Sequence, residues 1–248
     1  MGFILNIITV LIGTALGVAL GNRLPERVRE TVLNGLGLAT VGYAVLSIVD
    51  AMANQQNGAV KFLVILFSIV LGGIAGEALG LDAALARFGA WLERAFTRRM
   101  GGTSTPDSAA RFVRGYVSAS LLFCVGPMTF LGSIQDGLRG DMGLIGIKSA
   151  LDLFAALAYS ASLGIGVGFS VITIFIIQGG LTAGASAAQG LFTPTMVAVL
   201  SATGALLVLG IGLSLLEIKK IRLANFLPAL FFAPLGVVAL NLAGVAGF

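Results

Sequence analysis

The chain has 248 residues, of which 57% are hydrophobic and 10% are charged, and its formal net charge is +4. Since soluble domains contain about 25% charged residues, this composition excludes an ordinary soluble protein and indicates an all-α, polytopic membrane protein. The sequence contains no histidine, which excludes histidine metal sites and histidine-based catalysis, and its single cysteine excludes an intramolecular disulfide.

The apolar residues fall in blocks that are long enough to cross the roughly 30 Å hydrocarbon core as helices. The first block lacks a positively charged start and a small-residue cleavage site, so it is interpreted as a retained span. Eight membrane-spanning helices are predicted in all, at 3–21, 33–52, 61–80, 113–131, 147–163, 167–184, 194–216 and 224–245. The division between the fifth and sixth depends on Gly164, Gly166 and Gly168, where a tight turn interrupts a nearly continuous apolar run.

Glycines recur every four residues in several predicted spans. The rows are Gly13, Gly17 and Gly21 in the first span and Gly72, Gly76 and Gly80 in the third, with Gly204 and Gly212 at the matching interval in the seventh. Such rows are ordinary helix-packing surfaces, since they let two backbones approach closely. Their agreement suggests internal repeats, because Asn34 and Asn225 also open the second and eighth spans at matching positions.

The basic residues follow the odd-numbered predicted spans. Twelve of the fifteen lie there, namely Arg23, Arg27, Arg29, Arg87, Arg94, Arg98, Arg99, Arg111, Arg114, Lys219, Lys220 and Arg222. Because cytoplasmic loops are enriched in Lys and Arg, both termini are predicted to lie outside and these loops inside. The positive charge is therefore a topological signal, and no nucleic-acid partner is expected.

The segment LDAALARFGAWLERAF, residues 81–96, is predicted to be an amphipathic helix on the cytoplasmic leaflet rather than a span. A polar stretch follows it and provides a domain boundary. The predicted division is an N-terminal three-span half at 1–100, a cytoplasmic linker at 101–111, and a C-terminal five-span half at 112–248.

The stretch GPMTFLGSIQDGLRGD interrupts the fourth predicted span. Pro127 removes a backbone donor and clashes with the preceding turn, and irregular backbone at membrane depth is tolerated where it is buried in protein or lines a wet cavity. Ser133 is expected to cap a short helical piece from which Gln135 and Asp136 project. A simple outer turn, favoured by glycine and aspartate, is the alternative for this stretch.

Lys148 and Asp152 lie four residues apart and share one helix face in the fifth predicted span. A carboxylate within a span is costly and is by default a candidate functional group, while an ion pair that only fixes helix packing is the equally weighted alternative. Glu77, near the cytoplasmic end of the third span, is a further candidate that can instead extend its carboxylate to the membrane surface.

The same residues carry a resemblance. CVGPMTFLGSIQDGLRGD, KSALD, GIGVGFSVI, IQG and NGLGLATVGYAVLSI resemble the YqgA/YdfK-like family of bacterial inner-membrane proteins of unknown function, over essentially the whole chain. The resemblance implies a multi-spanning protein of the bacterial plasma membrane that is described as transport-related. It provides no catalytic or substrate residue.

The leading hypothesis is a secondary transporter of a small solute or ion, coupled to Na⁺ or H⁺ and without a cofactor. Its site is predicted between the fourth and fifth spans, where Asp136 and Asp152 bind the coupling ion and Ser133 and Gln135 add neutral ligands. No Gly-x4-Gly-Lys-Ser/Thr motif occurs, which argues against ATP-driven transport by this chain alone.

Three alternatives remain open from the sequence. An intramembrane hydrolase needs a Ser133–Lys148 dyad or an aspartyl-protease role for Asp141, and no other element of either is evident, so the chain is not expected to be an enzyme. A non-transporting scaffold or regulator that assembles through its glycine faces and the Arg98–Arg99 region gives the carboxylates a structural role. The expected partners are the lipid bilayer and further copies of the chain. A channel is less favoured, since no repeated filter motif is present.

Overall fold

A computed structural model describes residues 2–21, 25–53, 57–99, 105–125, 127–185 and 193–244. Within these residues the chain is helical and contains no β-strand, which confirms the predicted all-α class. The helices are α1 (Gly2–Gly21), α2 (Glu26–Met52), α3 (Gly58–Leu79), α4 (Leu81–Arg99), α5 (Pro106–Val125), α6 (Pro127–Arg139), α7 (Gly143–Leu163), α8 (Ile165–Ala183), α9 (Pro194–Leu215) and α10 (Ala229–Leu242).

Seven helical segments among the described residues are long and apolar enough to cross a membrane. They are α1, the Asn34–Met52 part of α2, α3, α7, α8, α9, and Leu223–Leu242, which contains α10 and a preceding 3₁₀ turn. The helices α5 and α6 form an eighth candidate as a bent pair. The chain is therefore a polytopic helical membrane protein, and the predicted eight spans are obtained when the bent pair counts as one.

The break in the fourth predicted span is confirmed. The axes of Pro106–Cys124 and Met128–Arg139 differ in direction by 72°, and α6 begins at Pro127. Proline suits the first position of a new helix because its missing N–H needs no partner there. The single helix predicted at 113–131 is therefore two helices, one of which begins earlier and the other of which ends later.

The division between the fifth and sixth predicted spans is also confirmed. Gly164 separates α7 from α8 with a φ of 79°, a conformation that glycine adopts without steric cost. The helix α8 is irregular, since it begins as a 3₁₀ turn at Ile165–Ser170 and contains a π-helical turn at Phe175–Gly179. Two non-α segments thus lie within one span-length helix.

The contacts group the chain into two compact units, each built from separate segments. Unit 1 comprises Met1–Leu36, Ala83–Cys124 and Met128–Ala187, and unit 2 comprises Gly37–Asp82, Val125–Pro127 and Ala188–Phe248. These limits do not coincide with the predicted division at 1–100, 101–111 and 112–248. In the predicted linker, residues 101–104 lie outside the described residues, and the first turn of α5 begins at Pro106.

In unit 1, α1 packs against α7 through its glycine row. A Cβ atom at Gly13 would collide with the Leu153 carbonyl, and one at Gly21 would collide with the Ala161 carbonyl, so the two backbones touch. Residue numbers rise together along this contact, which means that the two helices run in the same direction. The packing role predicted for this row is confirmed.

In unit 2, α3 packs against α10 in the opposite direction. The space for a Cβ at Gly72 is filled by Ala229, while Val64, nearer the start of α3, lies against Gly236. Gly80 ends α3 with a φ of 62° and serves as its C-cap rather than as a packing residue. The core of this unit is a cluster of small and branched side chains, including Val64, Ile65, Val199, Ala202, Ala233 and Val237.

The amphipathic segment predicted at 81–96 is the helix α4. Its apolar side chains pack partly on protein, since Leu92 belongs to a buried cluster with Phe112 and Tyr116. Phe96 also lies edge-to-face on Phe169 of α8 at 5.4 Å between ring centroids. Side chains of α5 and α8 therefore cover part of the apolar face of α4, which was predicted to lie on the membrane surface.

Candidate functional site

The candidate site in unit 1 is centred on a buried ion pair in α7. Lys148 donates a hydrogen bond from Nζ to Oδ2 of Asp152, one helical turn later, and the two side chains are 6% and 11% exposed. The Lys148 ammonium also lies 5.9 Å from the centroid of the Phe123 ring. The pairing predicted from the spacing is confirmed, and each charge depends on the other because an unpaired buried charge is strongly destabilising.

Two amide side chains join this pair from neighbouring helices. Asn6 of α1 donates from Nδ2 to Oε1 of Gln178 in α8 at 3.2 Å, and both residues are fully buried. Asn6 is also a hydrogen-bonding neighbour of the Asp152 carboxyl group. Gln178 lies on the π-helical turn of α8, a widened turn of the kind that is frequent at functional sites. The ion pair is thus connected through Asn6 to an irregular part of the backbone.

These amides leave polar atoms without a partner among the described residues. Oδ1 of Asn6 and Nε2 of Gln178 make no hydrogen bond, although both are buried. One is an acceptor and the other a donor, and each is the remaining half of an amide already bonded to its neighbour. A hydroxyl group, an amide or a water molecule that both donates and accepts would satisfy the two atoms.

Asp136 connects α6 to the start of α1. Its Oδ2 accepts a hydrogen bond from the backbone N–H of Gly2 at 2.7 Å, and the residue is 4% exposed. A carboxylate at a helix N-terminus is stabilised by the helix dipole. Gly132 lies one turn before Asp136 and contacts Ile145, which brings α6 against the start of α7. Asp136, predicted to bind a coupling ion, therefore joins α6 to the start of α1.

The other residues of the interrupted stretch agree partly with the interpretation as a buried site and partly with the interpretation as an outer turn. Ser133 is fully buried inside α6 rather than at its start, so the predicted capping role is not observed, and its Oγ makes no hydrogen bond. Gln135 is exposed. Asp141 accepts from the Gly143 backbone N–H at 2.9 Å in an exposed turn, as the turn interpretation predicted for the end of the stretch.

Glu77 belongs to unit 2. Its Oε1 accepts from Arg222 at 2.6 Å and its Oε2 accepts from Nδ2 of Asn225 at 2.7 Å. Asn225 in turn accepts, through Oδ1, from the backbone N–H of Asp82 at 2.7 Å. This group, Glu77 with Arg222 and Asn225, is called the Glu77 clamp below. It ties the end of α3 to the segment that precedes α10.

Asn6 and Gln178 were missed by the sequence interpretation, which searched the spans for charged side chains. The available signal was an amide within an apolar run, in ILNIITV and in FIIQGG. An amide at membrane depth also needs hydrogen-bond partners, since burying it without them costs several kcal/mol. Within the described part of the chain, no group of three or more metal-binding side chains is arranged to hold a metal ion.

Residues 1–238 match the family model described as "Protein of unknown function (DUF554)". The "Uncharacterized protein YqgA" of Escherichia coli (strain K12) is 32% identical over 233 residues, which cover 94% of each of the two chains. The "Uncharacterized membrane protein YdfK" of Bacillus subtilis (strain 168) is 22% identical over 244 residues, which cover 98% of each. No solved structure matches the chain.

Proposed function

The chain belongs to the DUF554 family, and from this premise we propose that it is a proton-coupled secondary transporter of a small polar solute or ion in the bacterial plasma membrane. Its site is the polar cluster of unit 1, and both of its termini face outward. No cofactor is required, since a carrier needs only groups that bind the solute and the coupling ion.

The observation that carries this proposal is the connection from the buried Lys148–Asp152 pair through Asn6 to Gln178. Intramembrane carboxylates that face other polar groups mark ion and proton pathways. Here the connected amides also present an acceptor and a donor with no partner among the described residues, Oδ1 of Asn6 and Nε2 of Gln178. A purely structural cluster gains nothing from leaving such atoms unbonded.

A proton suits this site better than Na⁺ as the coupling ion. The Asp152 carboxylate is already occupied by the Lys148 ammonium, which is tethered to the same helix. A sodium ion must displace that ammonium, whereas a proton neutralises Asp152 directly and frees Lys148. In this scheme Asp152 accepts and releases the proton, and Asn6 and Gln178 bind the polar groups of the solute.

The irregular helices supply segments that can rearrange around the site. The α5–α6 break and the π-helical turn of α8 both interrupt regular backbone hydrogen bonding, and broken helices near the membrane centre are typical of secondary transporters. No support is found for a Ser133–Lys148 dyad, because Ser133 Oγ makes no hydrogen bond and Lys148 bonds to Asp152. We accordingly propose no enzymatic activity.

The test is solute-driven proton movement in liposomes. The purified protein is reconstituted with a pH-sensitive dye inside, and a panel of small polar solutes and ions is added outside. We expect one class of solute to change the internal pH, and we expect Asp152→Asn to abolish that change. Asp141→Asn is the matched control, since it makes the same chemical change in an exposed turn.

Several outcomes contradict the transporter. The proposal is contradicted if the wild-type protein moves no proton with any solute of a broad panel. It is also contradicted if the Asp152→Asn variant couples solute to proton movement as the wild type does. If the wild type moves no proton and Asp152→Asn loses assembly in detergent while each copy stays folded, the cluster is structural and the chain is a scaffold. The observation that favours this second function is that both carboxylates already have partners within the protein, Asp152 in Lys148 of its own helix and Asp136 in the Gly2 N–H of α1.

A further inference from the structure

A cavity lies in unit 2, where three ends of spans meet. The helix α3 ends at Leu79, α9 ends at Leu215, and the last span begins at Leu223. The cavity between them has a volume of about 770 Å³. Ligand sites in proteins occupy roughly 300–1,000 Å³, so the space is sufficient for a ligand group. Because span ends surround it, the cavity lies where the hydrocarbon core meets the polar headgroups.

The wall and the rim of this cavity differ in character. The wall is apolar and includes Val70, Ile74 and Phe226. Val70 and Ile74 are exposed, with Ile74 exposed by 64%, so they face lipid rather than a protein core. The rim is cationic and includes Lys219 and Lys220, which are both exposed. A ligand that fills this cavity therefore needs an anionic head and an apolar tail.

The charge balance of the rim favours an anion. Its one carboxylate, Glu77, already accepts hydrogen bonds from Arg222 and from Asn225 within the Glu77 clamp. Lys219 and Lys220 make no ion pair among the residues that the structure describes. The two lysines thus provide the net positive charge of the cavity.

The backbone that carries these lysines is held in place by the end of α9. The N–H of Ile218 donates to the Leu213 carbonyl at 3.1 Å, as in a Schellman motif. Glu217 adopts a φ of 57° in this turn. The Ser214 hydroxyl then donates to the Lys219 carbonyl at 3.2 Å. The lysines are therefore presented at the rim by a defined turn.

We propose that this cavity is a binding site for an anionic phospholipid. Lys219 and Lys220 contact the headgroup phosphate, and Val70, Ile74 and Phe226 contact the acyl chains. Basic pockets at the ends of membrane spans attract acidic lipids in this way. A free phosphate ion is the other source of the same anion, but it leaves the apolar wall without a partner, and the lipid is therefore the proposed occupant.

The experiment measures lipid binding by the full chain in micelles of an uncharged detergent, dodecyl maltoside. Fluorescent phosphatidylglycerol is titrated in, and unlabelled phosphatidylglycerol, phosphatidylcholine and inorganic phosphate are used as competitors. We expect only phosphatidylglycerol to compete. The double variant Lys219→Ala/Lys220→Ala is expected to bind roughly thirtyfold more weakly, since each basic residue near an anionic headgroup contributes about a fivefold gain in affinity.

Two further variants separate the site from general charge effects. Arg98→Ala/Arg99→Ala removes the same charge from exposed positions of α4 and is expected to bind as the wild type does. Lys219→Arg/Lys220→Arg keeps the charge and is expected to retain binding, which also controls for folding. Equal losses in the two alanine pairs overturn the proposal, as does competition by phosphatidylcholine. Competition by inorganic phosphate at the same concentration shows an anion site and overturns the lipid assignment.

Discussion

The two units satisfy their buried polar side chains in different ways. In unit 2, Ser68, Ser201 and Thr203 each donate to the backbone carbonyl four residues earlier in their own helix. In unit 1, Ser149 and Ser160 do the same, but Asn6 and Asp136 also bond to residues in other helices. The buried polar atoms without a partner that are found in the described residues also all belong to unit 1, on Asn6, Thr14, Ser133, Ser170, Gln178 and Thr182.

This difference assigns separate roles to the units. A hydroxyl that bonds within its own helix needs nothing from its surroundings, so it is compatible with a packing element in lipid. Polar groups that bond across helices depend on a particular arrangement of those helices, and a change in that arrangement changes their bonding. Under the proposed function, unit 1 is the part in which binding is coupled to movement. The polar chemistry of the Glu77 clamp in unit 2 lies at the ends of its spans.

The largest expected effect distinguishes the buried pair of unit 1 from the exposed pair of unit 2. Asp152→Leu leaves the Lys148 ammonium buried without its partner, and the free energy of unfolding is expected to fall by about 3–5 kcal/mol. Arg222→Ala breaks the Arg222–Glu77 pair, whose side chains are 68% and 53% exposed, and is expected to cost less than about 1 kcal/mol. Unfolding in detergent, followed by circular dichroism, measures both.

A double variant serves as the control for this comparison. Lys148→Met combined with Asp152→Leu removes both charges and is expected to recover most of the lost stability, because no uncompensated charge remains. The proposed proton coupling is expected to stay abolished in that variant. Equal costs for Asp152→Leu and Arg222→Ala contradict the burial of the Lys148–Asp152 pair.

A smaller effect tests the contact between α1 and α7. Gly17→Ala places a Cβ against the Leu157 carbonyl and the Ser160 hydroxyl, and such overpacking is expected to cost about 1–3 kcal/mol. Gly42→Ala in α2 is the matched control, since nothing lies within 4 Å of the added carbon. The control is expected to be neutral or to gain up to about 1 kcal/mol through helix propensity. The same denaturation assay is used, and a harmless Gly17→Ala refutes the contact.

The smallest effect concerns the Glu77 clamp in unit 2. Asn225→Ala removes the hydrogen bonds to Glu77 and to the Asp82 backbone, at an expected cost of about 1–2 kcal/mol. Asn34 occupies the matching position in the predicted repeat but is exposed, so Asn34→Ala is expected to stay within about 0.5 kcal/mol. Similar losses of stability in the two variants would contradict this difference and would show that Asn34 and Asn225 have the same structural role in the predicted repeat.

Local patterns predicted much of this architecture. Hydropathy located the spans, Pro127 located the break before α6, and the four-residue spacing of Lys148 and Asp152 predicted that they would meet. Each of these features depends on neighbours within a few residues along the chain. The partners of Asp136 and Asn6 were not predictable in this way, because they lie 134 and 172 residues away in sequence.

The sequence by itself determined that this is a helical membrane protein, that its chain breaks before Pro127 and at Gly164, and that Lys148 and Asp152 share one helix face. The physical reason is that lipid constrains each segment separately. A span must be long enough, must be apolar, and must satisfy its own backbone hydrogen bonds. Only the tertiary structure decided which segments form each unit, that Asp136 holds the start of α1, and that Asn6 joins Asp152 to Gln178. These outcomes depend on the packing of small residues between helices that are distant in sequence, where glycine rows permit several partners and the full set of contacts selects one.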